Sequence, residues 1–282
     1  MLYEKFTKDQ RRRYSDGVET LSSLLQNLPN LQTIIVSCLH DCLWSENSKS
    51  RYQRLQKTTR ELPYSSKEIS GTLEQLFLTS CTQRIDRLEI FGCFDPTMLH
   101  VDMALMNLCA IRYLTVQGFM CSENDKSITQ FLRCFPSLEE LSITLNGWAP
   151  VTILGSLQWF NLKEVSLHGV WTAEVEFYTL FRNHARTLRR FDIHNSSLTQ
   201  GSWESLFTNI RSLGSVSAVS ASGELYGRTA KGTLNMDCRQ AIELESFMKS
   251  PNLDWPFLHV WVCGAEPFAW NSSLYGLYPQ PR

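Results

Sequence analysis

The sequence lacks an excess of charge of either sign. Its 282 residues hold 27 lysines and arginines against 28 aspartates and glutamates, a formal net charge of −1. So balanced a chain has no electrostatic field to steer nucleic acid or an anionic membrane towards it, and we expect neither as a partner. Long apolar runs are missing too. No stretch reaches the 18 or so residues of a membrane-spanning helix, and residues 1–16 are too charged for a secretion signal.

Cysteine is present, but it forms no recognisable disulfide framework. The nine cysteines are odd in number and scattered, and several fall inside apolar runs. Reduced, buried thiols are typical of the cytosol or nucleus rather than of secreted proteins. We therefore expect a cytoplasmic or nuclear protein. We also expect core packing for the series Cys81, Cys93, Cys109, Cys121 and Cys134.

Recognisable catalytic and metal-binding motifs are missing as well. The chain has no G-x-S-x-G, no H-E-x-x-H and no phosphate-binding glycine loop. The best metal candidate, Cys38-x-His40-x-Cys42, has no second pair of ligands at zinc spacing. We predict a protein that is not an enzyme, with no catalytic residues, no metal and no cofactor. An unrecognised hydrolase is the less favoured alternative.

What the sequence does contain is a repeat. The pattern L-x-x-L-x-L recurs, and from Ile85 onward its starts are separated by 24 to 27 residues. A period of 20–29 residues with this strand pattern indicates leucine-rich repeats. The copies are Leu31-Ile34-Val36, Ile85-Leu88-Ile90, Ile111-Leu114-Val116, Leu138-Leu141-Ile143, Leu162-Val165-Leu167 and Leu188-Phe191-Ile193, with a weaker copy at Leu213 and Val216.

Segments with helical spacing separate these strand patterns. Apolar residues recur at i, i+3, i+4 and i+7 from Ile128 and from Trp203, and Phe177, Leu180, Phe181 and His184 repeat that spacing. Asp95-Pro96 is a good helix start. A helix between successive strands requires a crossover connection, so the strands must run parallel. The sequence predicts an α/β leucine-rich-repeat solenoid, with a curved parallel sheet on the concave side and helices on the convex side.

Composition divides the chain into three parts. We predict an N-terminal helical cap over 1–27, irregular repeats over 28–225 with a polar insertion near 39–65, and a C-terminal helix and aromatic cap over 226–282. The aromatic residues of the last part alternate with proline and glycine, and the end of a repeat array needs a cover. Within the wide gap before Ile85, the spacing of Ile69, Leu73, Leu76 and Phe77 predicts a helix.

Three segments carry a family resemblance: "LPNLQTIIV" at 28–36, "FPSLEELSI" at 135–143 and "LFRNHARTLRRFDIHNSSLTQGSWESLFTNIRSL" at 180–213. They resemble the leucine-rich-repeat regions of F-box-like proteins from filamentous fungi, over roughly residues 16–225. The resemblance implies substrate recruitment to a Skp–cullin ubiquitin ligase. In that family the repeats hold the substrate and an N-terminal F-box grips the Skp adaptor.

The letters of an F-box are not evident. Such a module begins with a motif like L-P-x-E-I. The segment at Leu28 lacks the acidic residue of this motif. In the segment at Leu62, too many residues separate the Leu-Pro pair from the Glu-Ile pair. The Skp adaptor of a cullin ligase is therefore a candidate partner for which we predict weak binding or none. The expected function is non-enzymatic protein recognition, and the alternative is a repeat-scaffold interaction protein unrelated to ubiquitination.

The predicted partner surface follows from strand alternation. Each six-residue copy of L-x-x-L-x-L is here called a hexad. The apolar residues of each hexad point into the core, so the residues between them point to the opposite, concave face. We expect Ser142 and Ser166 to be exposed among them. Their mixture of aromatic, arginine and carboxylate side chains suits a specific protein partner with basic residues. The predicted binding residues are Arg87, Glu89, Phe91, Tyr113, Gln117, Glu140, Glu164, His168, Arg190, Asp192 and His194.

Overall fold

A computed structural model of the chain describes residues 30–37 with scattered positions just before them, and then 64–78, 85–103, 106–119, 126–145, 154–214, 216–227 and 233–257. Several predictions fall outside these residues. They are almost all of the cap at 1–27, the Cys38–Cys42 motif, most of the insertion near 39–65, and the tail from residue 258.

The described residues form ten strands and five α-helices. The strands are β1 Thr33–Ser37, β2 Arg87–Phe94, β3 Tyr113–Phe119, β4 Glu140–Leu145, β5 Glu164–His168, β6 Trp171–Thr172, β7 Arg190–His194, β8 Ser197–Leu198, β9 Ala218–Gly227 and β10 Thr233–Met236. The α-helices are α1 Tyr64–Leu78, α2 Lys126–Arg133, α3 Glu174–Asn183, α4 Trp203–Leu213 and α5 Cys238–Lys249.

Nine of these strands lie side by side and parallel, in the order β1-β2-β3-β4-β5-β7-β9-β8-β6. The tenth, β10, pairs with β9 in the antiparallel sense. The α/β class and the parallel strands are therefore confirmed. The sheet is open and does not curl on itself, so the fold does not bear out the curvature that was predicted for it.

The register of the sheet aligns the hexads as the repeat predicts. Leu88, Leu114, Leu141, Val165 and Phe191 are paired strand to strand, and all five are buried. Strand alternation explains this, because every second side chain points to the face that the helices cover. The second apolar position is buried in the same way, at Ile143, Leu167 and Ile193 among others. Ser142 and Ser166 are half-buried rather than exposed, which corrects that part of the prediction.

The weaker copy at Leu213 was placed three residues too early. Leu213 is the last residue of α4, and Val219 is the residue that pairs with Phe191. The helix α4 ends at Gly214, which adopts a left-handed conformation (φ 65°) and allows the chain to turn before β9 begins. The apolar spacing alone could not show that the helix continued to Leu213.

The predicted helices are confirmed in four connections and corrected in another. Helices α2, α3 and α4 bury the predicted apolar residues, and α1 buries Ile69, Leu73, Leu76 and Phe77 in the long connection between β1 and β2. Asp95-Pro96 starts only a three-residue 3-10 helix, Pro96–Met98, which Asp95 caps through the backbone N–H of Thr97. A second 3-10 helix, Leu154–Ser156, lies in the described part of the connection before β5.

The core is continuous from β1 to α5 and contains a phenylalanine cluster between β2, β3 and α2. Phe131 of α2 lies 5.0 Å from Phe94, 5.7 Å from Phe119 and 5.1 Å from Phe135 by ring centroids, each pair edge-on. Cys134 is buried beside them, as predicted, but Cys109 is exposed. Cys109 lies in a turn just before β3, where its side chain does not reach the core.

The first residues of the predicted aromatic cap pack on the last two helices. Trp255 lies 6.1 Å from Phe207 of α4 and 5.3 Å from Phe247 of α5, and Phe257 is buried beside it. Arg211 of α4 stacks its guanidinium on Phe247, 3.8 Å from the ring centre. These contacts tie residues 251–257 to the helical side of the last repeats.

Candidate functional site

The face of the sheet opposite the helices, here called the polar face, carries three rows of aligned side chains. Each row crosses the strands from β2 to β9 at one register position. The first row is Arg87, Tyr113, Glu140, Glu164, Arg190 and Ala218; the second is Glu89, Thr115, Ser142, Ser166, Asp192 and Ser220; the third is Phe91, Gln117, Thr144, His168, His194 and Ser222. The structure thus brings all eleven predicted residues onto one surface, and their binding role stays a prediction.

The first row places two carboxylates side by side between two arginines. Glu140 and Glu164 are register partners on β4 and β5. Arg87 approaches Glu140 to 3.8 Å and stacks on the ring between them, 4.5 Å from the centre of Tyr113. Arg190 lies 3.8 Å from Glu164 on the other side. Like charges directly opposite each other on neighbouring strands are unfavourable, so this row is not optimised for stability alone.

The pKa of Glu140 shows the effect of that arrangement. Partial burial of the carboxylate raises the pKa above its ordinary value, the negative charge of Glu164 raises the pKa further, and Arg87 opposes both effects. Each arginine is also drawn towards a carboxylate of the second row, Arg87 to Glu89 at 3.8 Å and Arg190 to Asp192 at 3.6 Å. Such long contacts at a surface are weak, so these arginines do not neutralise the pair.

We expect the substitution Glu164→Gln to lower the pKa of Glu140, because it removes the like charge and keeps the shape of the side chain. A carbon-detected carboxyl titration by NMR would measure this. The matched control is Glu243→Gln on α5, which removes a carboxylate that is paired with Arg239 on the helical side. An equal change of the Glu140 pKa in both variants would show that Glu164 does not act on Glu140 directly.

A tight ionic cluster, which the repeat pattern did not predict, lies just before the first row. Glu139 is nearly buried, accepts a hydrogen bond of 2.6 Å from Lys163 Nζ and one of 2.6 Å from Arg112 Nε, and so joins three repeats. The hydrogen bond from Lys163 and then that from Arg112 lower the pKa of Glu139 against the opposing effect of burial. The sequence contains a pattern that could have predicted this cluster, because each of its three residues stands one position before the first-row residue of its strand.

The third row holds two histidines on neighbouring strands. His168 and His194 are register partners, with ring centroids 6.2 Å apart. His194 Nδ1 lies 2.5 Å from Ser222 Oγ of β9, and Asn195 Nδ2 lies 3.0 Å from His168 Nε2. Burial lowers the pKa of His168 below its ordinary value, and the neighbouring His194 lowers it further. Asn195, which directly follows β7, joins this row to β9 through the backbone N–H of Glu224.

The histidine and serine do not complete a catalytic centre among the described residues. A serine nucleophile needs a base whose second nitrogen is held by a further group. Here Ser222 contacts His194, but none of the hydrogen bonds of the described residues joins the second ring nitrogen of His194 to a carboxylate. Within the same residues, no group of three or more histidine, cysteine or acidic side chains is placed to hold a metal ion. What the arrangement offers is an extended polar surface.

Comparison of the chain with models of known protein families, with curated proteins and with solved structures finds no match. The described helices include none with the length and apolar character that crossing a bilayer requires. Any functional conclusion must therefore come from the polar face itself.

Proposed function

We propose that this chain is a non-enzymatic protein-recognition module, and that the polar face binds a segment of a partner protein that carries basic side chains. The single observation that carries the proposal is the first row, in which Glu140 and Glu164 stand side by side without full neutralisation. A cationic side chain of a partner would lie between the two carboxylates and relieve their repulsion.

The charges of the whole face support a basic partner. Its three rows contain two arginines and four carboxylates, a formal charge of −2 with both histidines neutral. Tyr113, stacked under Arg87, adds an aromatic surface of the kind that is enriched at protein interfaces. At the end of the sheet, the side chain of Ile35 is 59% exposed on β1, in register with Glu89, and extends the same surface with an apolar contact.

The scaffold of the module is proposed to be an irregular leucine-rich-repeat solenoid. The support for this finer description is the recurrence of the hexads at register spacings of 26, 27, 24, 26 and 28 residues from Leu88 to Val219. The resemblance to fungal F-box-like proteins makes substrate recruitment to a ubiquitin ligase, in the cytoplasm or nucleus, the favoured biological setting. A repeat-scaffold interaction protein that acts outside ubiquitination is the alternative.

The test is the joint substitution of Tyr113, Glu140, Glu164 and Arg190 by alanine. None of the four is buried, so the variant should fold, and circular dichroism with thermal unfolding would verify that. We expect affinity capture followed by mass spectrometry to lose at least one protein that the unaltered chain captures reproducibly. The Skp adaptor should be included as a defined bait, for which we expect weak capture or none.

A control of matched composition lies on α5: Arg239, Ile242, Glu243 and Glu245 changed together to alanine. These residues again comprise one arginine, one large apolar residue and two carboxylates, and they lie on the outer side of that helix. We expect capture by this variant to be unchanged. Equal capture by the unaltered chain and by the polar-face variant would refute the proposed function.

A further inference from the structure

The hydrogen bonds around Asn195 define the protonation state of His168. The backbone N–H of Glu224 donates to Asn195 Oδ1 over 3.1 Å, which sets the orientation of the amide group. The opposite end of the amide, Nδ2, is therefore a donor that faces His168 Nε2 at 3.0 Å. Only an unprotonated Nε2 can accept this hydrogen bond. His168 is thus held neutral, with its single proton on Nδ1.

The position of Asn195 itself is closely constrained. Its backbone is in the left-handed region (φ 43°), and its N–H donates to the carbonyl of Ser222 over 3.2 Å. Opposite the amide, Gly223 leaves the necessary space, since a Cβ atom there would lie 1.9 Å from Asn195 Oδ1. The amide of Asn195 therefore connects β5 to the segment 222–224 of β9.

A proton on His168 Nε2 would break this connection. Two N–H donors would then face each other, so that either the Asn195 amide turns over and releases the Glu224 N–H, or the His168 ring moves away. The first movement disturbs the segment of β9 that carries Ser222, the partner of His194, and the second separates β5 from Asn195. The two neighbouring rings would also repel each other once both were charged.

None of the ion pairs among the described residues includes the ring of His168. On β4 the register partner of His168 is the uncharged Thr144. On β7 the acidic group of this face, Asp192, lies 3.6 Å from Arg190, and on β5 itself Glu164 lies 3.8 Å from the same arginine. The remaining group is the carboxylate of Glu224 on β9, which accepts a hydrogen bond from the hydroxyl of Tyr226.

We propose that the chain His168–Asn195–Glu224 makes the polar face a proton-sensitive binding surface, which holds a basic partner at neutral pH and releases it in mildly acidic conditions. The basic nature of the partner rests on the proposed function. The hydrogen bonds of the switch do not, because they are part of the fold. Protonation of both histidines would change the formal charge of the face from −2 to zero. The attraction for a basic segment would be lost as the hydrogen bonds rearrange.

The first test uses the substitution Asn195→Asp and needs no partner. A carboxylate in the same position can accept from both the Glu224 N–H and a protonated His168, so it favours the charged ring. We expect the pKa of His168, measured from its ring nitrogens by NMR, to rise by at least about one unit, a tenfold tighter hold on the proton. The control Asn252→Asp places the same charge on an exposed turn. An equal rise in both variants would overturn the switch.

The second test connects the switch to binding. The probe is a fluorescein-labelled dodecapeptide of alternating lysine and serine, whose affinity is measured by anisotropy at about pH 7.5 and about pH 5.5, at constant ionic strength. We expect the affinity of the unaltered chain to fall several-fold at the lower pH, and the His168→Gln/His194→Gln variant to lose most of that fall. An unchanged fall in the double variant would overturn the proposal, and it would do so even if Asn195→Asp failed to fold.

The two tests separate the inference from the function on which it rests. If the peptide binds at neither pH, the assignment of a basic partner fails, and acid release of such a partner fails with it. The NMR measurement still decides whether the histidine pair is a proton-controlled element. If the peptide binds without pH dependence, the proposed function stands and the switch is refuted.

Discussion

Replacing Phe131 by alanine is expected to lower the free energy of unfolding by about 3–5 kcal/mol, the usual cost of removing a fully buried phenylalanine. Phe131 is completely inaccessible to solvent, and its ring packs edge-on against Phe94, Phe119 and Phe135. These three come from two strands and from the turn after α2, so the cavity would lie where successive repeats meet and could not close without moving a strand.

Urea denaturation followed by circular dichroism would measure this loss. The matched control is Phe160→Ala, because Phe160 has the same side chain and is 86% exposed in a turn before β5. We expect that variant to change the unfolding free energy by less than about 0.5 kcal/mol. Similar losses in both variants would mean that the phenylalanine cluster does not hold the repeats together.

Replacing His184 by leucine is expected to cost about 1–3 kcal/mol, because it leaves the buried backbone N–H of Trp159 without its partner and removes one of the two hydrogen bonds to the carbonyl of Leu180. His184 follows α3 and is 2% exposed. Its Nδ1 donates to the carbonyl of Leu180 over 2.7 Å, and its Nε2 accepts from the backbone N–H of Trp159 over 2.9 Å. The imidazole therefore ties the turn before β5 to the end of α3. His100→Ala, at an exposed position, is the control.

The same histidine should make stability depend on pH in a defined direction. Both nitrogens are used by a neutral ring, and burial lowers the pKa of His184 below its ordinary value of 6.5. Between the folded and the unfolded pKa, the unfolded chain binds more protons, so acid favours unfolding. The contribution is therefore complete above about pH 7 and declines as the pH falls through 6.5, by up to about 1.4 kcal/mol per pH unit.

Chemical denaturation at a series of pH values would reveal this slope. His168 also has a lowered pKa and acts in the same direction, so the unaltered chain contains both contributions. The His184→Leu variant should lose its own share of the slope and keep that of His168. A slope that is unchanged in this variant would contradict the assignment of a buried neutral ring to His184.

The parallel strands and their register could be predicted from the sequence because they rest on local spacing. Hexads such as those at Leu138 and Leu188 alternate buried and solvent-facing positions, and this alternation has the same period in every strand. Once the strands pair hexad to hexad, the composition of the rows follows, including Glu140 beside Glu164 and His168 beside His194. The apolar residues of α1 and α4 were likewise visible as a helical period.

The local spacing of apolar residues could not predict where a helix ends, because the length of the connection between two strands determines this. The helix that begins at Trp203 continues to Leu213, so the last copy of the repeat starts three residues later than its letters indicated. Asp95-Pro96 has the letters of a helix start, but the chain there forms only a three-residue 3-10 turn. Capping residues mark where a helix can begin, whereas the distance to the next strand determines how long it becomes.

By itself, the sequence determined which side chains share the polar face, because strand alternation depends only on neighbouring residues. Only the tertiary structure decided what those side chains contact, since most of the partners come from other strands, far away along the chain. Asn195 shows this most clearly: its role depends on a left-handed backbone, on the space left by Gly223 and on the N–H of Glu224. None of these is a property of the residues that adjoin Asn195, so the packing of successive repeats had to be known first.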